Sequence, residues 1–176
     1  MLEAAASVIA EKGFEAATMT EIASRAGALV GSLYHFFPNK EVLADALIDR
    51  YRGIIDEAFA RIDSRAASTP IRSLADALVD MLVEIQGESK AMRALLEARA
   101  EFSAKRQDFR DDALRHIAGT LRLRSPQLAA ETARAMAVVL LNNMKAMKEL
   151  VADEGAAAEL RHMTRVYLKS KLQGKE

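Results

Sequence analysis

Thr20, Tyr34, His35 and Lys40 fall within one short stretch of the chain and offer hydrogen-bond donors suited to phosphate oxygens. Gly31 and Ser32 lie between them, small enough to let the backbone approach a nucleic acid closely. Arg25 and His35 also suit base edges, and Leu29 suits the methyl group of a thymine. Lys40 opens a helix whose partial positive charge would assist the binding of a phosphate. Donors and small residues in this order would suit contact with a nucleic acid.

A reader needs rigid elements beneath it. Thr18-Met19-Thr20-Glu21 matches a capping box, in which the Thr18 hydroxyl accepts from the Glu21 amide and the Glu21 side chain reaches back. A second helix therefore starts near Met19 and ends at Ala26-Gly27, and a third covers Val30 to Phe36. Two short helices across a glycine-containing turn have the size and spacing of a helix-turn-helix, whose second helix enters the major groove. Ile22, Ala23, Leu33 and Phe37 carry the apolar pattern of its core. Ahead of it, Leu2, Ala5, Ala6, Ile9 and Ala10 form the stripe of a first helix over Leu2 to Lys12, stopped by Gly13, with Phe14 anchoring the return. Asn39 caps a long fourth helix from Lys40 to about Ser64.

The run from Phe14 to Ala23, then Ala26-Gly27, then Val30-Gly31-Ser32-Leu33-Tyr34-His35-Phe36-Phe37-Pro38-Asn39-Lys40-Glu41, resembles the N-terminal DNA-binding region of TetR-family transcriptional regulators. The Leu33-Tyr34-x-x-Phe37-x-x-Lys40 core carries the likeness, which covers roughly residues 2 to 50. The resemblance implies a homodimer that binds a double-stranded operator and whose variable C-terminal half takes a small-molecule effector. With the donors above, it gives Thr20, Arg25, Leu29, Val30, Gly31, Ser32, Tyr34, His35 and Lys40 as candidate DNA-binding residues.

Three departures from the family pattern shape the expectation. Leu29 stands where many members carry a capping serine or threonine, and Phe36 where many carry a polar aromatic residue. The sequence starts at Met1-Leu2-Glu3, already inside the first helix, whereas the family usually has a basic segment ahead of that helix. Residues 1–52 hold five positive side chains (Lys12, Arg25, Lys40, Arg50, Arg52) against seven negative (Glu3, Glu11, Glu15, Glu21, Glu41, Asp45, Asp49). Weak nonspecific DNA binding is expected from that balance, because such affinity rests on neutralised phosphates.

The rest of the 176 residues sets the scaffold. Hydrophobic residues make up 51% and charged residues 28%, with three prolines, eight glycines and no cysteine, which excludes collagen-like, disordered and disulfide-built classes. The 25 basic and 25 acidic side chains cancel, so attraction to a polyanion must be local. The longest apolar run, Ala135 to Leu141, is far short of the roughly 20 residues of a membrane span, so no membrane partner and a cytoplasmic location are expected. Helix formers dominate and strand-like alternation is lacking. The expected fold is all-α: a three-helix DNA-binding domain over residues 1–45, then a helical effector-binding and dimerisation domain over 46–176, about nine helices in total.

Pro70 opens a fifth helix through Ile85, Met92 to Phe102 is a sixth, Phe109 to about Leu121 a seventh, Pro126 to Val151 an eighth and Ala156 to Leu172 the last. The eighth is apolar nearly all round and asks for a partner chain. Val138, Val139, Leu141, Leu160, Met163 and Tyr167 are the expected dimer interface, two helices from each chain. Phe59, Leu78, Leu82, Ile85, Leu96, Phe102, Phe109, His116, Met136 and Asn143 are the candidate lining of an effector pocket inside the bundle.

Catalysis finds little support. One Glu-x-x-His tetrad, Glu159 to His162, falls short of the pair a bundle metal centre needs, and Asp80, Glu84 and Glu88 read as a solvated helix face. No nucleophile motif or phosphate-cradling loop is present, so no catalytic residue, metal or cofactor is expected. The alternative reading is a helical ligand-binding or interaction module without effective DNA binding.

Overall fold

The computed structural model describes residues 1–98, 102–150 and 152–173, the side chains of 82, 83, 86–89, 103, 144, 145, 148 and 149 excepted. Its regular elements are α-helices: α1 (Leu2–Lys12), α2 (Met19–Arg25), α3 (Val30–Phe36), α4 (Lys40–Ala66), α5 (Ile71–Ala98), α6 (Ser103–Arg124), α7 (Ala130–Leu150) and α8 (Glu154–Leu172). No strand occurs among the described residues.

Local chemistry explains where the first helices stop and start. Gly13 sits at φ 81°, in the left-handed region that ends α1. Both halves of the Thr18–Glu21 capping box are formed at α2. The Asn39 side chain accepts from the Val42 amide at 2.8 Å and caps α4.

Two expectations beyond α4 are corrected. The helices expected over 71–85 and 92–102 are one helix, α5, which passes through Gly87. A lone helical glycine costs only about 1 kcal/mol relative to alanine, and Leu74, Leu78, Met81, Ile85, Met92, Leu95 and Leu96 keep one apolar register across it. Ser125-Pro126 does not open a helix. The Leu128 amide donates to the Ser125 carbonyl at 2.9 Å, making a turn with proline at its favoured second position, and α7 begins only at Ala130.

The chain divides into two compact units, one of residues 1–55 and 87–108, the other of 56–86 and 109–176. In the first, Val8, Ile9, Phe14, Ile22, Leu33, Leu43 and Leu95 are buried. Phe102 meets Phe14 edge to face, with ring centroids 5.7 Å apart. In the second, Leu74, Leu78, Ile117, Leu121, Met136, Leu140 and Leu168 are buried. There His116 stacks on Phe59 at 4.7 Å and its Nε2 meets Asp56 at 2.8 Å. Asp80, expected on a solvated stripe, pairs with Arg161 at 2.5 Å, and Asp76 pairs with Arg165 at 2.6 Å. Glu84 is exposed, and the Glu88 side chain lies outside the described residues.

Candidate nucleic-acid interface

A helix-turn-helix is built on α2 and α3. Ile22, Ala23 and Leu33 are fully buried and fix the two helices against their unit. The turn between them runs through Gly27 at φ 63°, a conformation L side chains rarely adopt. Beyond it Leu29 precedes α3 with no side-chain cap, as its aliphatic side chain requires.

With Leu33 pointing inward, the remaining residues of α3 point outward. Val30, Gly31, Ser32, Tyr34, His35 and Phe36 are all exposed. Leu29 is 79% exposed, Phe36 63% and Tyr34 47%, so the face is apolar and aromatic as well as polar. Nothing lies within 4 Å of a side chain placed at Gly31, so that stretch is open to an approaching surface. The His35 and Phe36 rings meet edge to face at 5.5 Å.

The cations expected to meet phosphate have other work in this structure. Lys40 Nζ donates to the carbonyls of Phe14, Glu15 and Ala17 at 2.8, 3.0 and 3.2 Å. That is the full donor capacity of an ammonium. Arg25 makes a two-pronged pair with Glu11, at 2.6 and 2.8 Å, and a further 2.7 Å bond to Ser7. The Arg25 hydrogen bond is the main cause that holds the Glu11 carboxyl down to about 2. Lys12 pairs with Glu21, and the bonds from Lys12 and Thr18 lower the Glu21 carboxyl.

Sequence reasoning missed the Ser7–Glu11–Arg25 cluster. Its signal was present: Ser7 and Glu11, four residues apart, share one face of α1, and Arg25 ends α2. It also missed Phe36 as an exposed ring beside His35.

The remaining expected residues are distributed as follows. Thr20 is exposed in the first turn of α2. Of the expected effector lining, Leu96 and Phe102 belong to the first unit, while Phe59, Leu78, Ile85, Phe109, His116, Met136 and Asn143 belong to the second. Phe59, Leu78, Ile85, Leu96, Phe102 and Met136 are buried, and the Leu82 side chain lies outside the described residues. None of them borders the cavities of about 620, 360 and 400 Å³. On the expected dimer face, Val139 and Met163 are exposed, Val138, Leu160 and Tyr167 half-buried, and Leu141 buried within its own chain. The Asn142 amide is exposed and donates to the Val138 carbonyl of its own helix at 2.9 Å.

Comparison with known proteins bears on this arrangement. Residues 1–47 match the family model described as bacterial regulatory proteins, tetR family. The HTH-type transcriptional repressor KstR2 of Mycobacterium tuberculosis is 36% identical over 115 residues, 65% of this chain and 50% of that protein. The chain thus spans about half the length of the curated relatives it matches. A transcriptional regulator of Aquifex aeolicus VF5 has the same fold, with a TM-score of 0.70 at 20% identity over 96% of this chain and 95% of that one. The transcriptional regulator FadR of Bacillus subtilis, solved in complex with stearoyl-CoA, superposes with a TM-score of 0.65 at 19% identity over 99% and 97%. Residues 1–47 thus match the N-terminal region of the tetR family of bacterial regulatory proteins, in a chain that shares the fold of the Aquifex aeolicus regulator.

Proposed function

We propose that the chain is a transcriptional repressor that binds a palindromic operator as a homodimer and leaves it when a small effector binds the helical bundle. The observation that carries this reading is the outward face of α3, where Val30, Gly31, Ser32, Tyr34 and His35 stand exposed around a fully buried Leu33. Leu29 and Val30 meet thymine methyls, His35 meets a base edge, and Ser32, Tyr34 and Thr20 meet phosphates. Lys40 and Arg25 brace the helices through their bonds to Phe14, Glu15 and Ala17 and to Ser7 and Glu11. Residues 1–45 read the operator, and 46–176 dimerise and take the effector.

The exposed apolar side chains Val139 and Met163, with half-buried Val138, Leu160 and Tyr167, support a partner chain against α7 and α8. Twofold pairing sets the two α3 helices on half-sites about one helical turn apart, roughly 34–36 Å. The repressor KstR2 supports the sign of regulation, and the stearoyl-CoA complex of FadR supports a small organic effector. Release requires only that the effector favour one dimer conformation, and a ratio of about 10⁴ between the two corresponds to about 5.5 kcal/mol.

A second reading, a ligand-binding module that does not bind DNA effectively, is favoured by the engagement of Lys12, Arg25 and Lys40 within the chain. Selection from a random-sequence DNA pool with the purified protein separates the two. Enrichment of a palindrome supports the repressor, and no enrichment supports the module.

A further inference from the structure

The second unit holds a cavity of about 620 Å³ bordered by the start of α5, the end of α6 and one face of α8. Its rim carries Arg72, Arg124, His162, Arg165 and Lys169. Two of these are fixed: Arg124 Nε donates to the Thr69 carbonyl at 3.0 Å, and Arg165 Nε donates to Asp76 at 2.6 Å. Two carboxylates act on Arg165, Asp76 by that bond and Asp80 at longer range, and Asp80 is itself paired with Arg161. The side chains of Arg72, His162 and Lys169 are exposed and make no hydrogen bond or ion pair among the described residues. Val166, 53% exposed, adds an apolar wall.

This concentration of charge stands out in a chain whose basic and acidic side chains are equal in number. The cavity has the size of a small-molecule site. It also lies apart from the expected dimer face: on α8, His162, Val166 and Lys169 form one helical stripe, while Leu160, Met163 and Tyr167 form another.

We propose that this cavity binds the diphosphate of a nucleotide-like small molecule, with Arg72 and Lys169 as the phosphate donors, Arg124 and Arg165 as fixed flanking charges, and Val166 against the nucleoside. The site goes beyond the repressor reading and does not depend on it. It requires neither DNA binding nor the effector-lining residues named above.

Calorimetric titration of the full chain with ADP, inorganic pyrophosphate and adenosine tests it. ADP and pyrophosphate bind, adenosine does not, and raising the salt weakens both. Arg72→Ala with Lys169→Ala lowers ADP affinity at least about tenfold while leaving the helical circular dichroism and the oligomeric state unchanged. Arg134→Ala, on a separate basic cavity bordered by α6 and α7, leaves affinity unaltered. Absence of ADP and pyrophosphate binding, equal loss in Arg134→Ala, or a changed oligomeric state in the double variant with ADP affinity retained would overturn the assignment. Operator binding measured on the same double variant fails or survives independently, so the two readings are separable.

Discussion

The Lys40 ammonium lies 4.6 Å from the centre of the Phe14 ring while donating to the Phe14 carbonyl at 2.8 Å. One side chain at the start of α4 thus holds both the ring and the backbone of the segment between α1 and α2. A lysine that matches a family position by sequence acts here as a clamp on its own chain.

Lys40→Met keeps the aliphatic stem and removes the donors. Three carbonyls then lose a charged partner, and leaving such groups unsatisfied costs about 1–3 kcal/mol. The expected result is a lower urea midpoint, with DNA binding weakened through the displaced reading head. An unchanged midpoint contradicts the clamp.

Acid should weaken the Glu11–Arg25 pair in a defined window. The Glu11 carboxyl is held down to about 2 from an ordinary 4.5. Its folded value lies below its unfolded one, so its stabilisation is fully present above about 4.5 and is lost as pH falls toward 2. The difference in unfolding midpoint between the natural chain and Glu11→Gln should shrink across that range. A difference that stays constant from pH 6 to pH 2 counts against the pair.

Thr18→Ala removes the hydroxyl that accepts from the Glu21 amide at 3.2 Å. Loss of such a cap costs about 1 kcal/mol. Thermal unfolding should register it, and Thr18→Ser should restore most of the loss.

At Gly27 the backbone alone sets the cost of a side chain. Its φ is 63°, yet nothing stands within 4 Å of an added Cβ. Gly27→Ala should therefore lose about 1–2 kcal/mol through conformation rather than collision. Gly27→Asn, which tolerates the left-handed region better, should lose less.

The helix-turn-helix was legible because its signals are local. The capping box, Gly13, Gly27 and Asn39 each act within four residues, and α1 and α3 run between the residues expected of them. The fused α5 was missed because Gly87 reads as punctuation, although the apolar register on either side of it is continuous. Ser125-Pro126 serves a turn or a helix start equally well, and only the Leu128–Ser125 hydrogen bond decides between them. Long-range partners were the least legible. Residue type marks Lys40 and Arg25 as donors, but that they face Phe14 and Glu11 follows from packing across 26 and 14 residues.

The central claim is that the exposed face of α3 reads DNA, and Tyr34 tests it most directly because it is 47% exposed and its loss opens no core. The measurement is fluorescence anisotropy of a selected palindrome titrated with the natural chain and with Tyr34→Ala, beside their thermal midpoints. The account predicts at least about tenfold weaker binding, about 1.4 kcal/mol, at an unchanged midpoint. Equal affinity of the two proteins would contradict it.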